Sequence, residues 1–457
     1  MRRKQVILIT VLMSVLLVLS SASCRKSPAP PSEPISDSVL DSKARSFVEL
    51  MAAGKHADAV KMMDAKVASA LPESQLKATW ESLISQVGAF DGIAASRIAD
   101  ESGFKVVYVT CRFKSAILDT KVVFDAAGLV SGLWFVPSSA VTGEYVTPPY
   151  VNTDSFSEVE CEIGSGKWVL PATLTMPKGE GPFPAVVLVH GSGPNDRDET
   201  IGPNKPFKDL AWGLASNGVA VLRYEKRTKH YQLEMASVID TFTLKEETVD
   251  DALAAADYLK RTEGVDPEKV FIVGHSLGAS SAPRIAATAA EEGKGTPAGL
   301  VMLAPNARPL LELMIEQYEY ITSLDGQVTE AEQAELAAVR AEIAKIEGGL
   351  KPGESALGAP KAYWDDIMAY DPVAIASSLH LPMLVLQGER DYQVTMEDFA
   401  IWESELRDAP NVTLRSFPGL NHLFMLGEGK SSPDEYNVAG NVHSSVIETI
   451  ADWVKTK

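Results

Sequence analysis

The sequence predicts an α/β domain, a mostly parallel sheet flanked by helices, preceded by a small α+β domain. Three observations carry this. Apolar runs at 185–189, 219–222, 270–273, 300–303 and 383–386 are too continuous for strands with one wet face, so they read as parallel strands buried on both sides. Helical stretches alternate with them, including 244–259 and 279–290. Ahead of them, apolar residues recur at helical spacing from 39 to 87, and after Gly88 the period falls to two.

Composition narrows the function classes. The 457 residues carry 42 Lys+Arg against 61 Asp+Glu, a net charge of -19, with 46% hydrophobic residues. A nucleic-acid partner is excluded, because a phosphate-binding face needs clustered basic residues and none occurs. Three cysteines cannot build a disulfide framework, and no C-x-x-C or H-E-x-x-H spacing offers a metal site. Cys111 and Cys161 fall in different domains and are expected to be buried and free.

Residues 1–23 open with Arg2, Arg3 and Lys4, run apolar from 6 to 19 and end in four small residues, the pattern of a secretory signal. Cys24 follows at once, then a stretch rich in Pro and Ser. This segment resembles a bacterial lipoprotein signal, with Ser21 standing where Leu is usual. The resemblance implies that Cys24 is lipidated, that 24–37 is a tether, and that the protein is exported and anchored to a membrane of the cell envelope.

The region 38–137 reads as the small α+β domain. Its helical part breaks at Gly54 and Pro72, giving three short helices, and strands are expected at 104–113, 117–124 and 129–136. Helices followed by a meander are similar to the nuclear-transport-factor-like modules that precede some secreted hydrolases. Residues 138–150, with Ser, Thr, Gly and two consecutive prolines, read as a linker, and 151–457 as the second domain.

One interval in that domain is too long for a crossover. Between the strands at 300–303 and 383–386, the segment of about 306–381 reads as an insertion with its own helices, hence a cap, the alternative being a surface helical hairpin far from any site. Thr329 and Glu332 form a capping box there, and Leu336, Val339, Ile343 and Ile346 mark one helix face. Met314, Ile315, Tyr318 and Tyr320 offer apolar surface either to an acyl chain or to the cap's own core.

The chemistry lies at the strand ends. Gly274-His275-Ser276-Leu277-Gly278 follows the strand 270–273 and precedes an Ala-rich helix, the strand, G-x-S-x-G, helix context that lifts a serine hydroxyl off a sheet edge. A serine is a weak nucleophile at neutral pH, so it needs a base and a group that holds the base. Asp391 follows the strand 383–386, with Glu389 as the rival acid. His422 follows the strand 412–417, with His443 as the rival base, read as a surface residue of the terminal helix. His275 is expected to pack or bond locally, and His56 to be exposed. An oxyanion hole would take backbone N–H groups from Leu277 and from the loop after 185–189, where Ser192 is the choice and Gly193 the alternative.

With these residues in place, 151–457 resembles an α/β-hydrolase, and more narrowly the bacterial carboxylesterases of the dienelactone hydrolase and prolyl-oligopeptidase-like grouping. The nucleophile pattern matches 274–278, the acid Asp391 and the base His422. The run from His190 to Asp198 and Leu222-Arg223-Tyr224 also resemble secreted members. The resemblance implies hydrolysis of small-molecule esters with short acyl chains, without metal or organic cofactor. A peptidase, thioesterase or acyltransferase would use the same triad, and a non-enzymatic envelope binding protein is the rival outside enzymology. Asp196, Arg197, Asp198 and Arg223 read as an ion-pair network bracing the loops.

Overall fold

The computed structural model describes residues 35–101, 104–114, 117–138 and 145–457. The signal at 1–23, Cys24 and the tether as far as residue 34 lie outside the described residues. Two compact units divide the chain near residue 143.

In the first unit, Leu40, Ala44, Phe47, Val48 and Met51 bury one face of the helix Asp37–Ala52. Three further helices follow, His56–Val60, Ala65–Ala70 and Glu73–Val87. Where the periodicity suggests three helices there are four, because Asp64 accepts the Val67 N–H at 2.7 Å and starts a new one. The helices share a core with one face of an antiparallel sheet, β1 (Phe90–Glu101), β2 (Phe104–Phe113), β3 (Ile117–Phe124) and β4 (Val130–Pro137), paired in chain order. The sequence gives no sign of β1, since irregularities at 90–92 and 93–95 break its alternation. His56 is buried, contrary to the expectation from its polar neighbours. Cys111 is buried and free, and burial pushes its thiol up to about 11, which makes it inert.

The second unit is built on eight strands. A hairpin of β5 (Phe156–Ser165) and β6 (Trp168–Pro177) forms one edge. Next come β8 (Ala220–Tyr224), β7 (Phe183–Val189), β9 (Val265–His275), β10 (Leu300–Leu303), β13 (Met383–Gly388) and β14 (Val412–Phe417), all parallel. A separate hairpin, β11 (Ser355–Ala356) with β12 (Ala359–Pro360), lies in the insertion. The helices Asp250–Lys260, Leu277–Glu291 and Met396–Leu406 cover one face of the sheet, and Pro206–Ser216 and Ser444–Thr456 the other. Apart from the edge strand β14, which alternates exposed and half-buried residues, the parallel strands bury both faces, as their unbroken apolar runs require. The β5–β6 hairpin escapes such a reading because β5 is polar and largely exposed. Cys161 lies on it, free but only half-buried, which corrects the expectation of a buried thiol.

Residues 145–150 belong to this unit. Tyr145 donates to Asp209 at 2.7 Å and Tyr150 to the Val442 carbonyl at 2.8 Å. The insertion contains the helices Leu310–Ser323, Glu330–Glu347, Lys361–Met368 and Pro372–Ser378, and Thr329 with Glu332 closes both bonds of its capping box. Ile343 and Ile346 are buried in a cluster that includes Met235 and Phe242, so the segment between β8 and Asp250 shares the insertion's core.

Candidate active site

Register brings the strand ends together. Val189 pairs with Gly274, Leu303 with His275 and with Leu386, and Gly388 with Phe417, so the loops after β7, β9, β13 and β14 all leave one edge. Ser276 sits at the turn from β9 into Leu277–Glu291 with φ 53 and ψ -119, a conformation few residues with a side chain adopt. Two glycines permit the turn. A Cβ at Gly274 would lie 2.3 Å from the Gly278 carbonyl oxygen, and one at Gly278 would lie 2.2 Å from that of Val189. Ser276 donates its N–H to the Leu303 carbonyl at 2.8 Å, and its side chain is half-buried and reachable. Leu277 opens the helix, where an N–H has no partner within the helix.

Asp391 and His422 meet as expected from sequence order. His422 Nδ1 lies 2.6 Å from Asp391 Oδ2, and both residues are buried. A carboxylate only accepts, so Nδ1 carries the proton and Nε2 is left as the acceptor of the ring. Asp391 also accepts from the Gln393 and Val394 N–H groups at 2.7 and 3.1 Å and from Gln387 Nε2 at 3.1 Å. The rivals lie elsewhere. Glu389 is exposed and accepts from the Ser416 hydroxyl at 2.8 Å, while His443 caps the terminal helix by accepting the Ser445 N–H.

The loop after β7 is fixed from within. The Gly191 N–H donates to Glu199 Oε1 at 2.7 Å, and a Cβ at Gly191 would lie 3.2 Å from that of Ser276. Its carbonyl accepts from Lys226 Nζ at 2.7 Å and from Asn195 Nδ2 at 3.1 Å. Ser192 follows and is exposed. His190 is wedged between Phe207 and Tyr224, and burial lowers it to about 4, so it carries no charge at neutral pH.

Glu199 and His275 are the features the sequence reading missed or misplaced. Rather than bonding locally, His275 places Nδ1 2.9 Å from Glu199 Oε2 and Nε2 3.0 Å from the His422 carbonyl. Nε2 faces a carbonyl acceptor, while Nδ1 lies at ion-pair distance from the Glu199 carboxylate without an aligned hydrogen bond. Burial opposes the charge on each partner, yet each overrules it for the other: His275 is raised above the ordinary imidazole value and Glu199 lowered below the usual carboxylate one. Glu199 thus ties the Gly191 loop to the backbone of His422.

The bracing network is present around Arg223, which pairs with Asp198 and Glu158. Arg197 joins Glu160 at 2.6 Å and Glu225 at 2.9 Å. Asp196 is the exception. It accepts the N–H groups of Asp198 and Thr200 and shapes a turn. Of the apolar candidates in the insertion, Met314 and Ile315 pack on its own core and Tyr318 donates to Glu335 at 2.7 Å. Tyr320 instead stacks on Tyr392, at 5.2 Å between ring centroids.

A parallel sheet thus carries a serine with positive φ after one strand and a buried Asp–His pair after later ones, all at one edge. Comparison with known proteins agrees with the architecture. Residues 186–439 match the alpha/beta hydrolase family, and residues 44–133 match a protein family of unknown function (DUF3887). The chain is 41% identical over 415 residues to esterase EstD of Thermotoga maritima, covering 91% of this chain and 95% of that one. Among solved structures, an esterase of Pyrobaculum calidifontis aligns at 17% identity and a TM-score of 0.43, over 66% of this chain and 85% of the other. An acylaminoacyl peptidase of Pyrococcus horikoshii aligns at 14% identity and the same score, over 80% of this chain and 50% of its own length. The chain belongs to the alpha/beta hydrolase family.

Proposed function

We propose that the chain is an exported esterase that hydrolyses small carboxylic esters through an acyl-enzyme. Ser276 Oγ attacks the ester carbonyl while His422 Nε2 takes its proton. The same nitrogen then returns the proton to the leaving alcohol. Asp391 holds the Nδ1 proton and stabilises the imidazolium. The Leu277 and Ser192 N–H groups receive the oxyanion, and water, activated by His422, releases the acid. The observation that carries this reading is the buried Asp391–His422 bond at the sheet edge from which Ser276 also projects. The relationship to an esterase over nine-tenths of the chain supports the ester as substrate.

A fluorophosphonate probe tests the nucleophile. It labels the wild-type protein at Ser276, and Ser276→Ala loses both the label and about 10⁴–10⁶ in kcat with its fold intact. Wild-type turnover in that variant refutes the assignment. Short acyl chains are favoured in this reading, and a panel of esters of increasing length measures that.

The insertion acts as a cap limiting substrate size. Tyr370 donates to the Ser280 carbonyl and Arg284 pairs with Asp366 at 2.6 Å, which fastens the insertion to the helix that starts beside Ser276. An unchanged chain-length profile in a folded variant lacking 310–347 removes the cap from this account. The N-terminal basic, apolar and small residues followed by Cys24 support export and lipid anchoring. Cys24→Ser then releases the protein from membranes or leaves it uncleaved, and normal membrane retention argues against the anchor.

A further inference from the structure

Lys226 is buried just beyond the end of β8, and its ammonium lies 2.7 Å from the Gly191 carbonyl and 2.6 Å from Glu247 Oε1. Glu247, also buried, accepts from the Tyr363 hydroxyl through its other oxygen at 2.7 Å. It lies in a π-helical turn, Lys245–Val249, that leads into Asp250–Lys260. Tyr363 belongs to the insertion, on Lys361–Met368. The three side chains thus run unbroken from the insertion to the loop after β7. Burying a lysine and a glutamate is costly unless their geometry serves something, and neither group is part of the triad.

What the chain grips is informative. The Gly191 carbonyl and the Ser192 N–H belong to one planar peptide unit, in which a trans bond points them in opposite directions. A cation fixed on the carbonyl therefore fixes the line along which the Ser192 N–H points. It also polarises the peptide and makes that N–H a stronger donor. We propose that Lys226, Glu247 and Tyr363 are positioning residues that aim the Ser192 N–H at the oxyanion, so that the docked insertion is required for full transition-state stabilisation. The proposal rests on Ser276 being the nucleophile and Ser192 an oxyanion donor.

The test uses the full chain and a small acetate ester as substrate. Fluorophosphonate labelling of the wild type at Ser276 is checked first; absence of that label overturns the parent reading and the positioning role with it. With the label present, Lys226→Met, which keeps the buried stem and leaves only Asn195 Nδ2 on the Gly191 carbonyl, lowers kcat by about 10² with KM nearly unchanged, as partial loss of an oxyanion donor does. Tyr363→Phe keeps the ring, which stacks on Phe242, and lowers kcat about tenfold with the thermal midpoint close to wild type. A trifluoromethyl ketone, which mimics the tetrahedral intermediate, weakens in each variant by the same factor as kcat/KM. In the Lys226→Met background, Tyr363→Phe adds little, because the hydroxyl acts through the ammonium. Where Lys226→Met does not fold, Tyr363→Phe and Glu247→Gln give the same readouts. Wild-type kcat in the folded variants, a loss confined to stability, or fully additive losses would each overturn the proposal and leave a structural ion pair.

Discussion

Each unit of the molecule buries at least one aspartate, and Asp119 of the first and Asp391 of the second keep different company. Asp119, on β3 of the first unit, accepts from the hydroxyls of Thr110 and Ser138 at 2.7 and 2.6 Å, both within twenty residues of it in the chain. Asp391 accepts from two backbone N–H groups, an amide and the ring of His422. Both carboxylates are shielded from water and hydrogen-bonded. Only one has a partner with a second site for a proton. A hydroxyl can accept a further hydrogen bond but takes up no proton at neutral pH, whereas an imidazole held at Nδ1 offers Nε2 as a base. Burial and bonding therefore do not by themselves mark a working carboxylate, and neither does an imidazole partner, since Glu199 has one in His275 whose Nε2 is taken up by the His422 carbonyl; what sets Asp391 apart is a partner at the sheet edge from which Ser276 projects.

The sharpest way to break this contrast is at the histidine. His422→Ala lowers kcat by about 10⁴–10⁶, and joining it to Ser276→Ala adds little because the residues act as a unit; multiplying losses in a kinetic comparison would contradict a triad. Asp391→Asn follows with a loss of about 10⁴, since an amide can no longer hold the Nδ1 proton in place. Asp119→Ala, by contrast, leaves steady-state turnover at the wild-type level. It costs about 2 kcal/mol in urea unfolding of the first unit, through hydroxyls that lose a buried acceptor.

Between these extremes stands Glu199. Glu199→Gln breaks a buried ion pair and costs about 3–5 kcal/mol by chemical denaturation. The pH dependence fixes the cause. Stability from the lowered Glu199 is present above the ordinary carboxylate pKa and is lost as pH falls through its folded value. That from the raised His275 is present below the ordinary imidazole pKa and is lost as pH rises through its folded value. The gap between wild type and variant is thus widest between about pH 4.5 and 6.5 and narrows on either side. A gap that does not vary with pH would assign the loss to packing. The smallest effect expected is that of Thr329→Ala, about 1 kcal/mol, from the loss of one exposed helix cap.

The sequence made the inner parallel strands legible because both of their faces are apolar, Ser276 and Asp391 because each follows such a strand, and His422 because it follows the alternating strand 412–417 in the chain order this fold uses. Edges were harder. β5 is polar and largely exposed, so it lacks the continuous apolar run that marked the buried strands, and the alternation of β1 is interrupted by bulges. Hardest were Glu199, Lys226 and Glu247. A charged residue inside a short polar run reads as solvated unless its partner is known, and their partners, His275, Gly191 and Tyr363, arrive from remote parts of the chain. The same distance concealed the reach of His275 to the backbone of His422.

The outward order β10, β13, β14 also sets a timetable for synthesis. The nucleophile's strand and its inner neighbours leave the ribosome first, while Asp391 emerges more than a hundred residues after Ser276 and His422 later still. At roughly 5–20 residues per second, that interval is on the order of ten seconds. Throughout it the nascent chain holds a serine with no base to activate it, and the helix Ser444–Thr456 that closes one face of the sheet is not yet made. On the triad proposed above, hydrolytic competence is deferred to the last tenth of translation, and a chain truncated before residue 422 is expected to be inert in an ester-hydrolysis assay.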